Sequence, residues 1–153
     1  MNQYSIQDPD YETRVRESFN NQSIMTLFGA ELSKITPGRC EITLPFRTDL
    51  CQQDGFFHAG VTSTIADSAG GYAAFSLMPA DARVLTVEYK MNLLAPADGE
   101  KLSACGEVMK NGRKLIVTRV DVTISKEGDS KLCATLLQTL ICLRPRKQVG
   151  NKQ

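Results

Sequence analysis

The sequence predicts an α+β fold, in which one long apolar helix packs on an antiparallel sheet. A run from about residue 59 to residue 77, uncharged except for Asp67, has helical periodicity. An alternating segment at residues 39–46 precedes this run, and four alternating segments between residues 84 and 143 follow it. Runs of strands beside a helix are typical of α+β proteins, so we expect a hairpin, the long helix and then a four-stranded meander.

Length and composition indicate one ordinary globular domain. The chain has 153 residues, of which 42% are hydrophobic and 23% charged, with a formal net charge of +1. This balance gives no electrostatic argument for nucleic-acid or membrane partners. We expect one domain over residues 1–146 and a disordered basic tail over residues 147–153.

The cysteine and histidine content gives no indication of a metal site or a redox cofactor. Five cysteines form no C-x-x-C pair, and a single histidine cannot complete a familiar zinc site. No apolar run reaches the ~18 residues of a membrane span, and the N-terminus lacks a signal-peptide pattern. We therefore expect a reduced, cytoplasmic location.

The N-terminal part predicts a helix and a hairpin. Apolar residues recur every four positions from Tyr11 to Phe19, which gives a helix with one apolar face. A Pro-Gly turn signal at Pro37 separates residues 30–35 from the alternating strand at residues 39–46. We expect these two segments to pair.

The long helix has two different faces. One is apolar, with Val61, Ile65, Ala69 and Tyr72; the other is small or polar, with Gly60, Ser63, Asp67, Gly70, Gly71 and Ala74. A single sheet covers only part of a helix. We therefore expect the small face to stay open unless a second copy of the chain covers it.

Four strands are predicted after the long helix. In the first, alternation places Leu85, Val87, Tyr89, Met91 and Leu93 on one face. Asn111-Gly112 predicts a type I′ hairpin between the next two strands. The last strand, residues 132–143, is apolar on both faces, which predicts a central position or a subunit contact.

The element order and a three-part motif resemble the hotdog-fold acyl-CoA thioesterases of the phenylacetic-acid-degradation type. Their motif is an Asn or Gln, then His-Gly-Gly six positions later, and an acid nine positions after the histidine. Gln52, His58-Ala59-Gly60 and Asp67 reproduce these intervals. Alanine replaces the usual glycine at position 59, which is acceptable if its φ is negative, because only the backbone N–H is needed there.

The resemblance implies that the protein hydrolyses an acyl-CoA, medium-chain or aryl-acyl, to the free acid and CoA. Asp67 would be the nucleophile or the general base, and the Ala59 N–H would stabilise the oxyanion from the helix start. Gln52 would orient the water or the thioester carbonyl, and Thr86 would assist from the neighbouring subunit. The resemblance also implies a homodimer or a dimer-of-dimers tetramer.

Substrate binding is implied at the motif loop and at a basic hairpin tip. His58 and Gly60 would shape the loop before the helix, although His58 could instead act as a base. The CoA phosphates would lie near the hairpin tip, where the alternative is a plain solvated turn; its residues are Asn111, Gly112, Arg113 and Lys114. The aromatic candidates for the acyl pocket, which are equally consistent with core positions, are Phe56, Phe57, Tyr72 and Phe75.

Three other interpretations remain open from the sequence. A non-catalytic acyl-CoA-binding or regulatory protein would not need the Asp67 carboxylate beside a thioester. A dehydratase or hydratase would need a catalytic histidine with an acid partner, for which His58 is the only candidate. Cys51 lies beside Gln52 and invites a Cys/His nucleophile, but the sequence identifies no activating partner for it.

Overall fold

The computed structural model describes residues 4–145, so the predicted tail at residues 147–153 lies outside the described residues. Two short helices, α1 (Tyr11–Asn20) and α2 (Ser23–Phe28), come before the hairpin of β1 (Glu31–Thr36) and β2 (Arg39–Pro45). After a 3₁₀ turn (Thr48–Leu50) and the long helix α3 (Ala59–Phe75) come β3 (Arg83–Leu93), β4 (Lys101–Asn111), β5 (Leu115–Lys126) and β6 (Asp129–Leu143).

The strands form one antiparallel sheet in the order β1-β2-β4-β5-β6-β3, with α3 packed against it. The predicted α+β architecture is confirmed, as are the N-terminal helix and the first hairpin. Among residues 4–145, no helix is long and apolar enough to cross a membrane.

The helix α3 is more enclosed than the sequence predicts. Every residue from position 68 to position 75 is buried within the single chain. The expectation that Gly70, Gly71 and Ala74 await a partner is therefore wrong. These small residues allow the helix to approach its own sheet, and a Cβ on the facing Gly106 would lie only 2.6 Å from the Ala69 backbone. Only the N-terminal half of α3 keeps a partly open face.

The predicted four-stranded meander is wrong in one strand. Strands β4, β5 and β6 do form a meander, but β3 pairs with β6 at the sheet edge, and β4 pairs with β2. The N–H groups of Leu94 and Ala95 donate to Cys133 O, so the chain leaves β3 still attached to β6. The chain then crosses to the part of the sheet that contains β2 and β4, where the Phe46 N–H donates to Glu100 O just before β4 begins. The predicted central position of β6 is confirmed, because β6 lies between β5 and β3.

A β-bulge in β3 corrects the predicted face of that strand. The register with β6 shifts between Thr86 and Glu88, and residues paired across strands share a face. Thr86 pairs with the buried Leu140, so it lies on the helix side of the sheet, whereas Leu85 pairs with Ile141 on the outer side. The expectation that Leu85 shares a face with the apolar residues after the bulge is therefore wrong.

The hairpin between β4 and β5 is confirmed, but its predicted turn type is not. A type I′ turn needs a positive φ at both central residues. Neither Asn111 nor Gly112 is among the described residues with positive φ, and the connection comprises residues 112–114.

Candidate active site

The first turn of α3 begins at a histidine cap. His58 is the N-cap residue, and its Nδ1 accepts the Gly60 N–H at 2.8 Å. Its carbonyl accepts the N–H groups of Val61 and Thr62 at 2.9 and 3.1 Å. Within residues 4–145, the exposed Ala59 N–H has no recorded acceptor. Such a donor, at the positive end of a helix dipole, suits an oxygen that carries negative charge.

Alanine fits the position where the motif usually has glycine. Ala59 is not among the residues with positive φ, so its side chain causes no backbone strain. Gly60 has less freedom, because a Cβ there would lie 3.0 Å from the capping His58 Nδ1. The two residues thus differ: Ala59 presents its N–H, whereas the Gly60 N–H is engaged by the cap.

Gln52 lies in the loop before α3 and holds that loop with its own side chain. Its Oε1 accepts the Asp54 N–H, and its backbone N–H donates to Phe56 O at 2.8 Å. Gln52 and Ala59 line one cavity of about 540 Å³, which is walled by Phe56, Phe57, Leu93 and Cys133 among others. The structure therefore brings the predicted carbonyl-orienting residue and the predicted oxyanion donor together.

Asp67 lies about two helical turns after Ala59 on α3. Its two carboxylate oxygens differ in their hydrogen bonds. Oδ1 accepts Thr86 Oγ1 at 2.7 Å and also accepts Gln138 Nε2. Among the described residues, Oδ2 has no recorded hydrogen-bond partner. Asp67 and Thr86 line a second cavity of about 370 Å³, whose other lining residues include Ser18, Gln22, Tyr72 and Val84. A carboxylate held in this way can attack a carbonyl or take a proton from water.

The position of Thr86 corrects one expectation. The sequence interpretation had Thr86 reach the site from the neighbouring subunit, but its hydroxyl contacts Asp67 of the same chain. The reason is the bulge between Thr86 and Glu88, which places Thr86 on the helix side at the sheet edge beside α3.

Ala59 and Asp67 are too far apart within one chain to act on the same carbonyl. Eight residues of α-helix separate them, which corresponds to about 12 Å along the axis. A reacting carbonyl has to lie about 3 Å from both its oxyanion donor and its attacking group. The two groups also line different cavities. One chain therefore contains both halves of the predicted site but does not join them.

The basic hairpin tip lies at the opposite end of α3 from Ala59. Asn111, Gly112 and Arg113 line a cavity of about 250 Å³ with Leu77 and Pro79, which follow the C-terminal end of α3. Lys114 is outside that lining. The aromatic candidates also separate, because Phe56 and Phe57 line the first cavity and Tyr72 lines the second. Phe75 is buried, with the Arg14 guanidinium 4.2 Å from its ring centroid.

Cys51 has no activating contact in the described part of the chain. Its Sγ donates to Arg47 O at 3.3 Å, while His58 Nδ1 is occupied by the Gly60 N–H. No group of three or more metal-ligating side chains occurs within residues 4–145.

Sequence reasoning missed two polar residues behind Asp67. Gln138 and Thr118 are 1% and 0% exposed, and Gln138 contacts the Asp67 carboxylate directly. The signal was present in β6, because Gln138 lies at the same parity as the buried Leu136 and Leu140. A lone amide on an apolar strand face requires hydrogen-bond partners, and these could have been sought on the helix.

Proteins of known family resemble this chain in sequence and structure. Residues 54–131 match the family model of the thioesterase superfamily. A provisionally named esterase of Saccharolobus solfataricus is 30% identical over 132 residues, which cover 86% of this chain and 85% of the relative. A thioesterase family protein from Silicibacter pomeroyi is 45% identical, with a TM-score of 0.87, over 88% of this chain and 99% of that one.

More distant structures share the fold alone. The E. coli PaaI protein from the phenylacetic acid degradation operon has a TM-score of 0.79 at 16% identity, over 91% of this chain and 96% of its own. A Haemophilus influenzae thioesterase has a TM-score of 0.80 at 22% identity, over 94% and 98%. The structural similarities confirm the predicted hotdog fold, and the family model with the two relatives at 30% and 45% identity confirms the family resemblance.

Proposed function

Since the chain belongs to the thioesterase superfamily and is a thioester hydrolase, we propose that its substrate is a medium-chain or aryl acyl-CoA. We further propose that each active site is shared between two copies of the chain. The observation that carries the proposal is the Asp67 carboxylate, which has one oxygen restrained by Thr86 and Gln138 and lines a cavity. A buried core or a simple binding surface does not require such an arrangement.

The proposed chemistry replaces the C–S bond of the thioester by a C–O bond. As a general base, Asp67 takes a proton from water as the water oxygen attacks the carbonyl carbon. As a nucleophile, it attacks directly and forms an anhydride that water then hydrolyses. In both routes the sulfur leaves with the C–S electron pair and is protonated to give the CoA thiol. The Thr86 hydroxyl, which donates to Oδ1, helps to aim the carboxylate.

The second half of the proposed site is the loop and first turn before α3 of the other copy. The exposed Ala59 N–H would stabilise the negative charge that develops on the carbonyl oxygen, and Gln52 would orient the carbonyl or the water. In this structure the Gln52 amide holds Asp54, so the proposal requires the amide to turn when substrate binds. The distance of about 12 Å between Ala59 and Asp67 along α3 supports a site that takes each from a different chain.

The edge strand β3 supports pairing of two copies. Among residues 4–145, no strand pairs with its outer edge. Val87, Tyr89 and Leu93 are 56%, 46% and 58% exposed on this 11-residue strand. A long apolar edge strand left open in solution promotes uncontrolled association, so a defined partner strand is the usual remedy. We propose a homodimer formed along β3, and assembly of two such dimers into a tetramer.

The basic hairpin tip is the proposed site for the CoA phosphates. Arg113 and Lys114 supply positive charge there, and Asn111 and Gly112 supply polar groups beside them. The tip lies near the C-terminal end of α3, about 12 Å along the axis beyond Asp67. An extended CoA arm can therefore run from a thioester at Asp67 towards this hairpin. A cytoplasmic location is part of the same proposal, supported by five cysteines that remain thiols.

The test is thiol release from a panel of acyl-CoAs of increasing chain length and of aryl-acyl-CoAs. We expect hydrolysis of at least one class, and a loss of at least about 1,000-fold in kcat for Asp67→Asn. Asp121→Asn is the matched control, because this carboxylate lies on the outer side of the sheet and pairs with Arg119. Activity retained by Asp67→Asn would contradict the assigned roles. Tight CoA binding without hydrolysis of any thioester would favour an acyl-CoA-binding protein.

A further inference from the structure

We propose that Gln138 is a positioning residue, which orients the Asp67 carboxylate through a series of hydrogen bonds that begins at the buried Thr118. This inference rests on the proposed role of Asp67. Gln138 touches no cavity that holds substrate in the proposed site, so its effect on catalysis would pass through Asp67 alone.

The hydrogen bonds all run towards the carboxylate. Thr118 Oγ1 donates to Gln138 Oε1 at 3.0 Å, inside the sheet. Gln138 Nε2 then donates to Asp67 Oδ1, to Thr86 Oγ1 at 3.1 Å and to the Asp67 carbonyl at 3.2 Å. Thr86 completes the chain by donating to the same Oδ1 at 2.7 Å. Thus β6 and β3 each supply a donor to one carboxylate oxygen, and β5 holds the β6 donor from behind.

The direction of the Gln138 amide is determined by its neighbours. The Thr118 hydroxyl offers a proton on one side, and the Asp67 carboxylate offers only acceptors on the other. A flipped amide would place its oxygen against the carboxylate and its N–H₂ against the hydroxyl. The carboxylate therefore keeps the N–H groups of Gln138 pointed at Asp67, and the Thr118 hydroxyl anchors the amide oxygen on the other side.

The absence of a side chain at Gly70 leaves space for the hydrogen bond between Thr118 and Gln138. A Cβ at Gly70 would overlap Gln138 Oε1 and would lie 2.7 Å from Thr118 Oγ1. A glycine inside a helix costs about 1 kcal/mol relative to alanine. The contact with the buried amide gives a physical reason for accepting that cost at this position.

Gln138 matters for catalysis because an aspartate carboxylate rotates easily about its χ2 bond. Rotation of an aspartate carboxylate about χ2 is broad, so helix geometry alone does not fix where its oxygens point. Donors on β3 and β6, the second anchored by Thr118 of β5, restrain Oδ1 and leave Oδ2 to face water or substrate. Without Gln138, the carboxylate would keep its charge and its place on α3, but its oxygens would be less well oriented.

The experiment uses the full-length protein with one substitution at Gln138 and two at Thr118. Gln138→Met keeps the side-chain volume but removes the amide. Thr118→Val is nearly isosteric and removes only the hydroxyl, whereas Thr118→Ser keeps the hydroxyl and loses a methyl group. We expect Gln138→Met and Thr118→Val to lower kcat by about ten- to hundredfold, with KM changed by less than about threefold. We expect Thr118→Ser to retain kcat within about threefold of wild type.

The pair of substitutions at Thr118 distinguishes positioning from packing. A packing role would make Thr118→Ser, which creates a small cavity, at least as harmful as Thr118→Val. Ile42→Val on β2, a fully buried residue away from Asp67, shows the effect of a comparable loss of stability on kcat.

The outcomes separate this inference from the proposed function. One result would overturn the role of Gln138 alone. In it, the wild type is active and Asp67→Asn is inactive, but Gln138→Met and Thr118→Val keep full kcat. A wild type that hydrolyses no thioester would overturn the proposed function first. If Gln138→Met does not fold, the comparison of Thr118→Val with Thr118→Ser decides the question by itself.

Discussion

The substitution Gly106→Ala measures how closely the sheet holds α3. A Cβ at Gly106 would lie 2.6 Å from the carbonyl carbon and oxygen of Ala69 and 2.8 Å from Gly70 N. Ordinary contact begins at 3.4 Å, so helix and strand would have to separate by about 0.8 Å. Because the neighbours are backbone atoms, no side-chain rotation relieves the overlap. Overpacking of this kind costs about 1–3 kcal/mol.

The same displacement would reach the carboxylate that we propose as catalytic. Asp67 is two residues before Ala69 on the same helix, and a misplacement near 1 Å lowers rates by up to about 100-fold. We therefore expect Gly106→Ala to lower Tm by roughly 2–4 °C for each kcal/mol lost and to lower kcat by at least about tenfold. Thermal unfolding and thiol release measure the two effects.

A neighbouring glycine supplies the control. A Cβ at Gly71 would lie 3.8 Å from Leu140 Cδ2, which is ordinary contact, so Gly71→Ala should raise stability by up to about 1 kcal/mol. An unchanged Tm and kcat for Gly106→Ala would refute the close contact. A loss of stability in Gly71→Ala equal to that in Gly106→Ala would show that α3 is not held as described.

Three further predictions follow from single contacts. His58→Ala removes the acceptor for the Gly60 N–H, so chemical denaturation should show a loss of about 1 kcal/mol, and an unchanged stability would exclude the cap. Burial raises the pKa of the Cys40 thiol far above its ordinary value of 9.0. Only the unfolded chain then ionises this thiol as the pH rises past 9.0, so stability falls by about 1 kcal/mol between about pH 9 and pH 10. Urea titrations should show that Cys40→Ala reduces this fall, and equal slopes would contradict it. Val87→Lys places a charge on the open edge of β3, so sedimentation should show monomers and thiol release should show lost activity; an active dimer would argue against pairing along β3.

The sequence was sufficient to predict the helices and strands, but not to predict which strands pair with each other. Alternation at residues 102–108 and 116–124 predicted strands whose inward side chains are indeed buried. Alternation identifies a buried face, but it carries no information about which strand lies alongside. For this reason the predicted meander puts β3 next to β4, whereas its partner in the structure is β6.

The misplaced side chains have local causes that a period of two cannot reveal. One extra residue at the Thr86–Glu88 bulge reverses the parity of β3, so Leu85 turns outward and Thr86 reaches Asp67. The glycines of α3 wrongly predict an open face, because their small size is the same whether a partner chain or the chain's own sheet approaches. The motif intervals placed Gln52, Ala59 and Asp67 along the chain, but only the helix geometry reveals the gap between them.

The gap between Ala59 and Asp67 leads to the central claim, which is that two chains build each site. Ala59→Pro removes the proposed oxyanion donor at the first helical position, which proline tolerates well, and the extended backbone of His58 is compatible with a following proline. Asp67→Asn removes the carboxylate. Each variant alone should lose at least about 100-fold in kcat.

Co-refolding the two variants in equal amounts tests the claim directly, by thiol release from the mixture. In a mixed dimer one site carries both substitutions and the other carries neither, so the mixture should recover about a quarter of wild-type activity. A mixture that stays as inactive as its two parents would show that Asp67 and Ala59 do not act together across two chains.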